Sequence, residues 1–333
     1  HNEQTYTTMD ILHDKDADVS VLNGKTVAVI GYGAQGRAQA LCMRDSGVHV
    51  IIGLRPGKSW DAAVQDGFEV MPVDEAAAKA DIIHILLPDE KHGEVYTNQI
   101  KPGLKPGKTL CCSHGFAYVF KTIEPPADVD VIMVAPKGPG TEVRRVFEEG
   151  FGCPGLIAVF QNPTGKAREV ALAMAKAEGL TRGGVLECTM QQETYEDLFG
   201  EQNVLCGGLV DLMKYGFETL IEAGYPAEMA YFECVHEAKL IVDIIYNKGI
   251  QAMNAVISNT AEFGEYYNGP QILGPEVKEK MKESLKRIES GEFARVWLAE
   301  AAAGAPNLLA KRAALAEHPV EIVGSKIREL FER

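Results

Sequence analysis

Two short stretches of the chain place acids one helical turn apart. Glu193-Thr-Tyr-Glu-Asp197-Leu-Phe-Gly-Glu201 sets Asp197 four residues before Glu201, and Glu233-Cys-Val-His-Glu237 repeats the interval. Residues four apart on a helix share a face. Like charges so placed weaken a helix, yet both pairs sit among apolar residues. Leu198, Phe199, Val204 and Leu205 flank the first, and Leu240, Ile241, Val242, Ile244 and Ile245 follow the second. A hard divalent cation would relieve the repulsion, since Mg2+ takes carboxylate oxygens and keeps several waters. Four carboxylates on two helices have the right number for a two-metal cluster. A solvated helix face presents the same spacing, so the pairs alone leave both readings open. His236, inside the second pair, reads as a helix-face or core histidine.

A third signal lies near the start. Lys25–Ile30 (KTVAVI) is strand-like, and Gly31-Tyr32-Gly33-Ala34-Gln35-Gly36 then opens a helical stretch. This is the G-x-G-x-x-G spacing of a dinucleotide loop in its proper strand–helix setting. The first glycine permits a tight turn, the second lets a pyrophosphate reach the backbone, and the third lets helix and strand pack closely. The helix N-terminus offers N–H groups to the phosphates. After the second strand, where an NAD site places an acid on the ribose, the chain reads Gly-Leu-Arg55-Pro-Gly-Lys58-Ser59-Trp-Asp61. Two cations and a hydroxyl suit a 2′-phosphate and favour NADP(H) over NAD(H). Asp61 pulls the other way, and ordinary solvated loop charges are the alternative.

Three further strand ends carry reactive types. Leu86-Leu-Pro88-Asp89-Glu90 is placed to face a nicotinamide. Ser113-His114-Gly115 offers His114 as proton carrier or substrate donor, and Ala135-Pro-Lys137-Gly-Pro-Gly140 offers Lys137 as a local cation. Ser258 is unremarkable on spacing alone.

These residues need a frame. Up to about residue 182, short apolar runs (25–30, 48–53, 81–87, 109–113, 131–135 and 156–160) alternate with helical stretches at 34–45, 59–66, 73–80 and 166–178. That pattern predicts a doubly wound, mainly parallel α/β Rossmann domain over 1–182. Helical spacing at 193–223, 226–249, 251–264, 275–289 and 307–331 predicts an all-α domain over 183–333. A net charge of −14 argues against nucleic acid or an anionic membrane as partner, and makes bound metal or local basic residues necessary for an anionic substrate. Seven cysteines without a Cys-x-x-Cys pair fit neither a disulfide framework nor a zinc site. No apolar run approaches a membrane span, and the acidic N-terminal stretch does not read as a transit peptide. The expected location is cytoplasmic.

Taken together, GYGAQG, LLPDE, SHGF, APKGPG, DLFGEQ, the E-C-V-H-E segment with KLIVDIIY, and SNTAEFGEY resemble the short, class I ketol-acid reductoisomerases in order and spacing over almost the full length. The resemblance implies a Rossmann domain, a knotted helical C-terminal domain, and a homodimer or assembly of dimers with sites completed across the interface. It also implies two Mg2+ ions, with Asp197 bridging both, Glu201 beside it, and Glu233 and Glu237 supplied by the neighbouring subunit. Ser258 matches a serine on the substrate carboxylate, His114 and Lys137 match residues lining the active site, and a metal-bound hydroxide or Glu237 is the candidate for proton handling. Arg55, Lys58 and Ser59 match the specificity loop, while Ala34 stands where many members have Ser. The implied reaction is alkyl migration in 2-acetolactate or 2-aceto-2-hydroxybutyrate and NAD(P)H reduction to the 2,3-dihydroxy acid, in valine, leucine and isoleucine synthesis. A β-hydroxyacid dehydrogenase shares the domain plan without the metals, and a non-catalytic nucleotide sensor would use the acids only as solvated faces.

Overall fold

The computed structural model describes residues 6–331. The chain divides into two compact units, His1–Thr194 and Tyr195–Arg333.

The first unit is built on eight strands: β1 (Thr26–Ile30), β2 (His49–Gly53), β3 (Glu69–Met71), β4 (Ile82–Ile85), β5 (Thr109–Cys112), β6 (Asp130–Pro136), β7 (Gly155–Gln161) and β8 (Val185–Glu187). They form one sheet in the order β3-β2-β1-β4-β5-β6-β7-β8. The first six follow the doubly wound nucleotide-binding order, whose switch point falls between β1 and β4. Every pairing is parallel except β6 with β7. The inner strands are continuous apolar runs because helices cover both faces. In β1, Val27 and Val29 join the core beneath the helices Ala34–Asp45 and Ala167–Ala177, whereas Ala28 and Ile30 join the core beneath Val73–Lys79.

The compact unit extends past residue 182, to Thr194. β8 pairs with β7, and Met190, opening the helix Met190–Gly200, is buried in the sheet's core. Strands β3 and β8 were not anticipated, because three residues carry too little periodicity to read.

The second unit is helical throughout its regular structure. Expected helices are interrupted where the sequence supplies a reason. The stretch 251–264 breaks at Ile257-Ser258, and 307–331 breaks before Pro319. Glu292–Ala302 is a helix beyond the expected set. Its buried core is small, made of Phe217, Ala230, Tyr231, Val320 and Ile327. Among the described residues no helix is long and apolar enough to cross a membrane.

One buried pair in the first unit has a measurable signature. Glu178 ends the helix Ala167–Ala177 and lies 3.9 Å from His84 of β4, both without exposed side-chain area. Burial pushes the Glu178 carboxyl well above the ordinary range. It also pushes His84 down to about 4, against a backbone contact from Cys111. Burial thus favours the uncharged form of both groups. An acid whose folded pKa is raised stabilises fully below its unfolded pKa, near ~4.3, and that stability is lost as pH rises towards the folded value. Glu178→Gln is expected to gain urea resistance relative to the parent as pH increases from 5.5 to 8.5. A difference in midpoint that does not change with pH would mean the carboxyl is ionised in the fold.

Candidate active site

The loop after β1 turns through Gly31 at φ 102°, a left-handed value that favours glycine. A Cβ there would lie 2.4 Å from the Leu86 carbonyl oxygen, at the end of β4. Gly33 caps the helix Ala34–Asp45 without a side-chain hydrogen bond, so its first amides are left for a ligand. The Tyr32 hydroxyl donates to Asp66 at 2.5 Å, and Arg37 donates to the same carboxylate at 2.9 Å. Burial, reinforced by Asp66, raises the Tyr32 pKa, so the phenol remains a donor that pins the loop. Gly31 N–H donates to the Gly53 carbonyl at 3.3 Å, which brings the loop beside the end of β2. Arg55, Lys58 and Ser59 stand exposed in the turn that follows, with Lys58 opening a helix. Pro88 and Asp89 begin the helix Asp89–Val95 directly after β4. The predicted nucleotide residues thus share one edge of the sheet.

At neighbouring strand ends a second group converges. His114 follows β5, Lys137 follows β6, and Glu193 lies in the first turn of Met190–Gly200. A reciprocal capping box starts that helix: Gln192 N–H donates to Thr189 Oγ1, and Thr189 N–H donates to Gln192 Oε1, both at 3.0 Å. The box fixes Glu193, which is 2% exposed. His114 Nδ1 lies 3.2 and 3.3 Å from its two oxygens, Lys137 Nζ 3.4 Å from Oε1, and Gly115 N–H 3.4 Å from Oε2. Burial alone would raise the Glu193 carboxyl, but His114, Lys137 and the Gly115 amide overcome it and hold the group below its ordinary value. Glu193 is a site residue to which the sequence reading gave no role. The available signal was its position, one turn before Asp197 on the same helix.

Neither carboxylate pair lies wholly on regular α-helix, although Asp197 itself belongs to Met190–Gly200. Glu201 begins a π turn, Glu201–Leu205, closed by Cys206 N–H to the Glu201 carbonyl at 2.9 Å. Phe232–His236 is a second π turn, with Glu233 inside it and Glu237 N–H donating to the Phe232 carbonyl at 3.0 Å. Such turns inside helices recur at functional sites. The first one depends on a small residue, because a Cβ on Gly207 would lie 2.0 Å from the Gln202 carbonyl oxygen. Glu201, Glu233 and Glu237 are exposed. Among the described residues of one chain, no three of Asp197, Glu201, Glu233 and Glu237 gather as a metal-binding group. His236, half-buried, packs between the rings of Phe232 and Phe331. Ser258 caps the helix Asn259–Ile272, its hydroxyl accepting from Ala261 N–H at 3.0 Å.

A glycine loop at the switch point of a doubly wound sheet, followed by a helical unit, is the build of a nicotinamide-dependent oxidoreductase. A semialdehyde dehydrogenase NAD-binding protein from Cupriavidus necator shares the fold at a TM-score of 0.59 and 20% identity, over 79% of this chain and 99% of that one. Two family models narrow the class. The acetohydroxy acid isomeroreductase NADPH-binding domain matches residues 21–184, and the ketol-acid reductoisomerase C-terminal domain matches residues 190–333. The chain belongs to the ketol-acid reductoisomerase family, enzymes that isomerise and reduce keto acids in branched-chain amino-acid biosynthesis.

A ketol-acid reductoisomerase (NADP(+)) of Akkermansia muciniphila is 86% identical over 325 residues, covering 98% of this chain and all of that protein. A ketol-acid reductoisomerase (NAD(+)) of an uncultured archaeon, GZfos26G2, is 63% identical, covering 97% and 99% of the two chains. The solved structure of an NADH-preferring ketol-acid reductoisomerase from an uncultured archaeon superposes at a TM-score of 0.93 with 63% identity, over 98% of this chain and all of that one.

Removing one member of a buried, paired cluster leaves the others uncompensated. Glu193→Gln and Lys137→Met are each expected to lower kcat on the order of a hundredfold, the scale of a lost proton-handling group. Circular dichroism and steady-state kinetics check this together. Folded variants with parental kcat would remove the cluster from the active site.

Proposed function

We propose that the chain converts 2-acetolactate and 2-aceto-2-hydroxybutyrate to 2,3-dihydroxy acids, with NADPH as its preferred nucleotide, two magnesium ions, and each site completed by two chains. The observation that carries this reading is Glu193, a buried carboxylate held ionised by His114 and Lys137 at the edge where the nucleotide loop opens.

The donor chemistry fits magnesium. Asp197, Glu201, Glu233 and Glu237 offer only hard carboxylate oxygens, with no thiolate or imidazole among them. Bound there, the ions supply Lewis-acid polarisation of the substrate's ketone and hydroxyl oxygens. The nicotinamide supplies the hydride. The chain supplies position and charge. The contact of Nδ1 with Glu193 orients the His114 ring towards the substrate. Lys137 offsets the negative charge of Glu193 and of the substrate's carboxylate. Glu237 is the candidate proton carrier. Ser258 accepts from Ala261 N–H and still has its own proton to donate to the substrate's carboxylate.

NADPH preference rests on Arg55, Lys58 and Ser59, and on the name of the 86%-identical relative. The two-chain site rests on the second unit itself. Its four carboxylates do not gather within one chain, and Leu205, Tyr246, Ile250, Phe263 and Ile272 are each more than half exposed around a small core. Apolar exposure of that extent marks an interface. All seven cysteines are free, in keeping with a reducing compartment.

Oxidation of NADPH with racemic 2-acetolactate is expected to need Mg2+ and to stop with excess EDTA. Asp197→Asn is expected to lose both isomerisation and reduction. Arg55→Ala should raise KM for NADPH about tenfold, the scale of one charge-assisted contact, and leave NADH unchanged. EDTA-insensitive turnover would favour a β-hydroxyacid dehydrogenase. Tyr246→Asp with Leu240→Asp is expected to shift the sedimentation coefficient from dimer or larger towards monomer and to abolish turnover. A fully active monomer would overturn the shared site.

A further inference from the structure

A chain of buried polar side chains runs beneath the candidate site. Gln39 lies on the helix that the glycine loop opens, and His84 lies in the middle of β4. Both are fully buried. Gln39 Nε2 lies 3.0 Å from Gln35 Oε1 and 3.0 Å from Ser113 Oγ, while its Oε1 lies 2.7 Å from His84 Nε2. Gln35 Nε2 donates to the Gly138 carbonyl at 2.8 Å, and Ser113 Oγ donates to the Val134 carbonyl at 2.8 Å.

The direction of every bond follows from the two carbonyls, which only accept. Gly138 fixes the Gln35 amide, so Gln35 Oε1 faces Gln39 and must receive its N–H. The Ser113 hydroxyl has spent its proton on Val134, so it too receives from Gln39. Both Gln39 protons are then committed, its Oε1 can only accept, and His84 must carry its proton on Nε2. A flipped amide at position 39 would oppose oxygen to oxygen at Gln35. The bonds joining Gln35, Gln39, Ser113 and His84 Nε2 are mutually consistent in one arrangement, and buried networks of that kind specify geometry.

What the network joins matters for the chemistry. Gln35 belongs to the nucleotide loop, Ser113 directly precedes His114, and Gly138 directly follows Lys137. We propose that Gln39, oriented by His84, is a positioning residue that sets the spacing between the nucleotide loop and the two strand ends bearing His114 and Lys137. It touches neither nucleotide nor substrate, and the inference rests on reading His114, Lys137 and Glu193 as the active site.

The test uses the full-length enzyme with Gln39→Leu, Ser113→Ala, His84→Phe and His84→Gln. NADPH affinity is measured by fluorescence titration without metal or substrate, alongside kcat, KM for 2-acetolactate, and melting temperature. Gln39→Leu and His84→Phe are expected to weaken NADPH binding severalfold and to lower kcat about tenfold, since small misplacements of reacting groups are costly. KM for the keto acid should stay within about twofold, because misplaced groups cost the transition state more than ground-state binding. His84→Gln, which restores a donor to Gln39 Oε1, is expected to recover both losses. Variants that melt earlier but keep NADPH affinity and kcat would reduce the network to core filling and overturn the proposal. Should Gln39→Leu fail to fold, Ser113→Ala and the His84 pair give the same discrimination. His114→Ala and Lys137→Met with parental turnover would instead overturn the active-site reading, whatever the Gln39 results.

Discussion

A single buried carboxylate sets the terms for the first unit. Glu193 is 2% exposed, and an ion so placed survives only with nearby opposite charge and full hydrogen bonding. His114, Lys137 and the Gly115 amide meet that demand from two strand ends, so β5 and β6 must finish at matched heights and the helix Met190–Gly200 must start at one residue. The parallel β5–β6 register, from Thr109 beside Asp130 to Cys112 beside Met133, supplies the first condition. The Thr189–Gln192 capping box supplies the second. Sheet register and helix capping, which elsewhere serve only stability, here determine whether a charge can exist.

The sequence made much of this frame legible, for definite physical reasons. Six of eight strands could be read because burial on both faces forces unbroken apolar runs, and Ala34–Asp45 could be read because a glycine loop announces it. β3 and β8 escaped because three-residue strands have no period to detect. The antiparallel turn of β7 against β6 escaped because orientation leaves no mark in composition. His114 and Lys137 could be named from strand-end position alone. That they meet on Glu193 could not, since the contact joins residues more than fifty positions apart. The Gln39 network was silent for the opposite reason: a buried glutamine on a helix looks like any polar residue until its partners are known.

The helical stretches of the second unit show where periodicity misleads. Three- and four-residue spacing continues through 193–223 and 226–249, yet each contains a five-residue π turn at its acids. A π turn adds one residue to a helical circuit and so breaks the face that i, i+4 spacing assumes. The hydrophobic pattern absorbs the insertion without comment. Gly207 and Gly208, whose added Cβ atoms would press on the Gln202 and Asn203 carbonyl oxygens, give a sequence-level hint of the irregular backbone.

The two units differ in how they meet the cost of order, and the difference bears on function. The first buries nearly every residue of its inner strands, so its geometry is fixed by its own sequence. The second keeps few side chains fully buried while long apolar residues remain in water along most of its helices. Such a segment gains too little from its own burial to hold acids in a rigid arrangement, because ordering each residue costs on the order of 1–2 kcal/mol. On the proposed reading, its carboxylates gain fixed positions from whatever covers those faces. Association and a charged ligand both act in that direction, one by burying apolar surface and the other by neutralising the clustered acids. On the proposed reading, one chain defines the nucleotide half and assembly completes the acidic half.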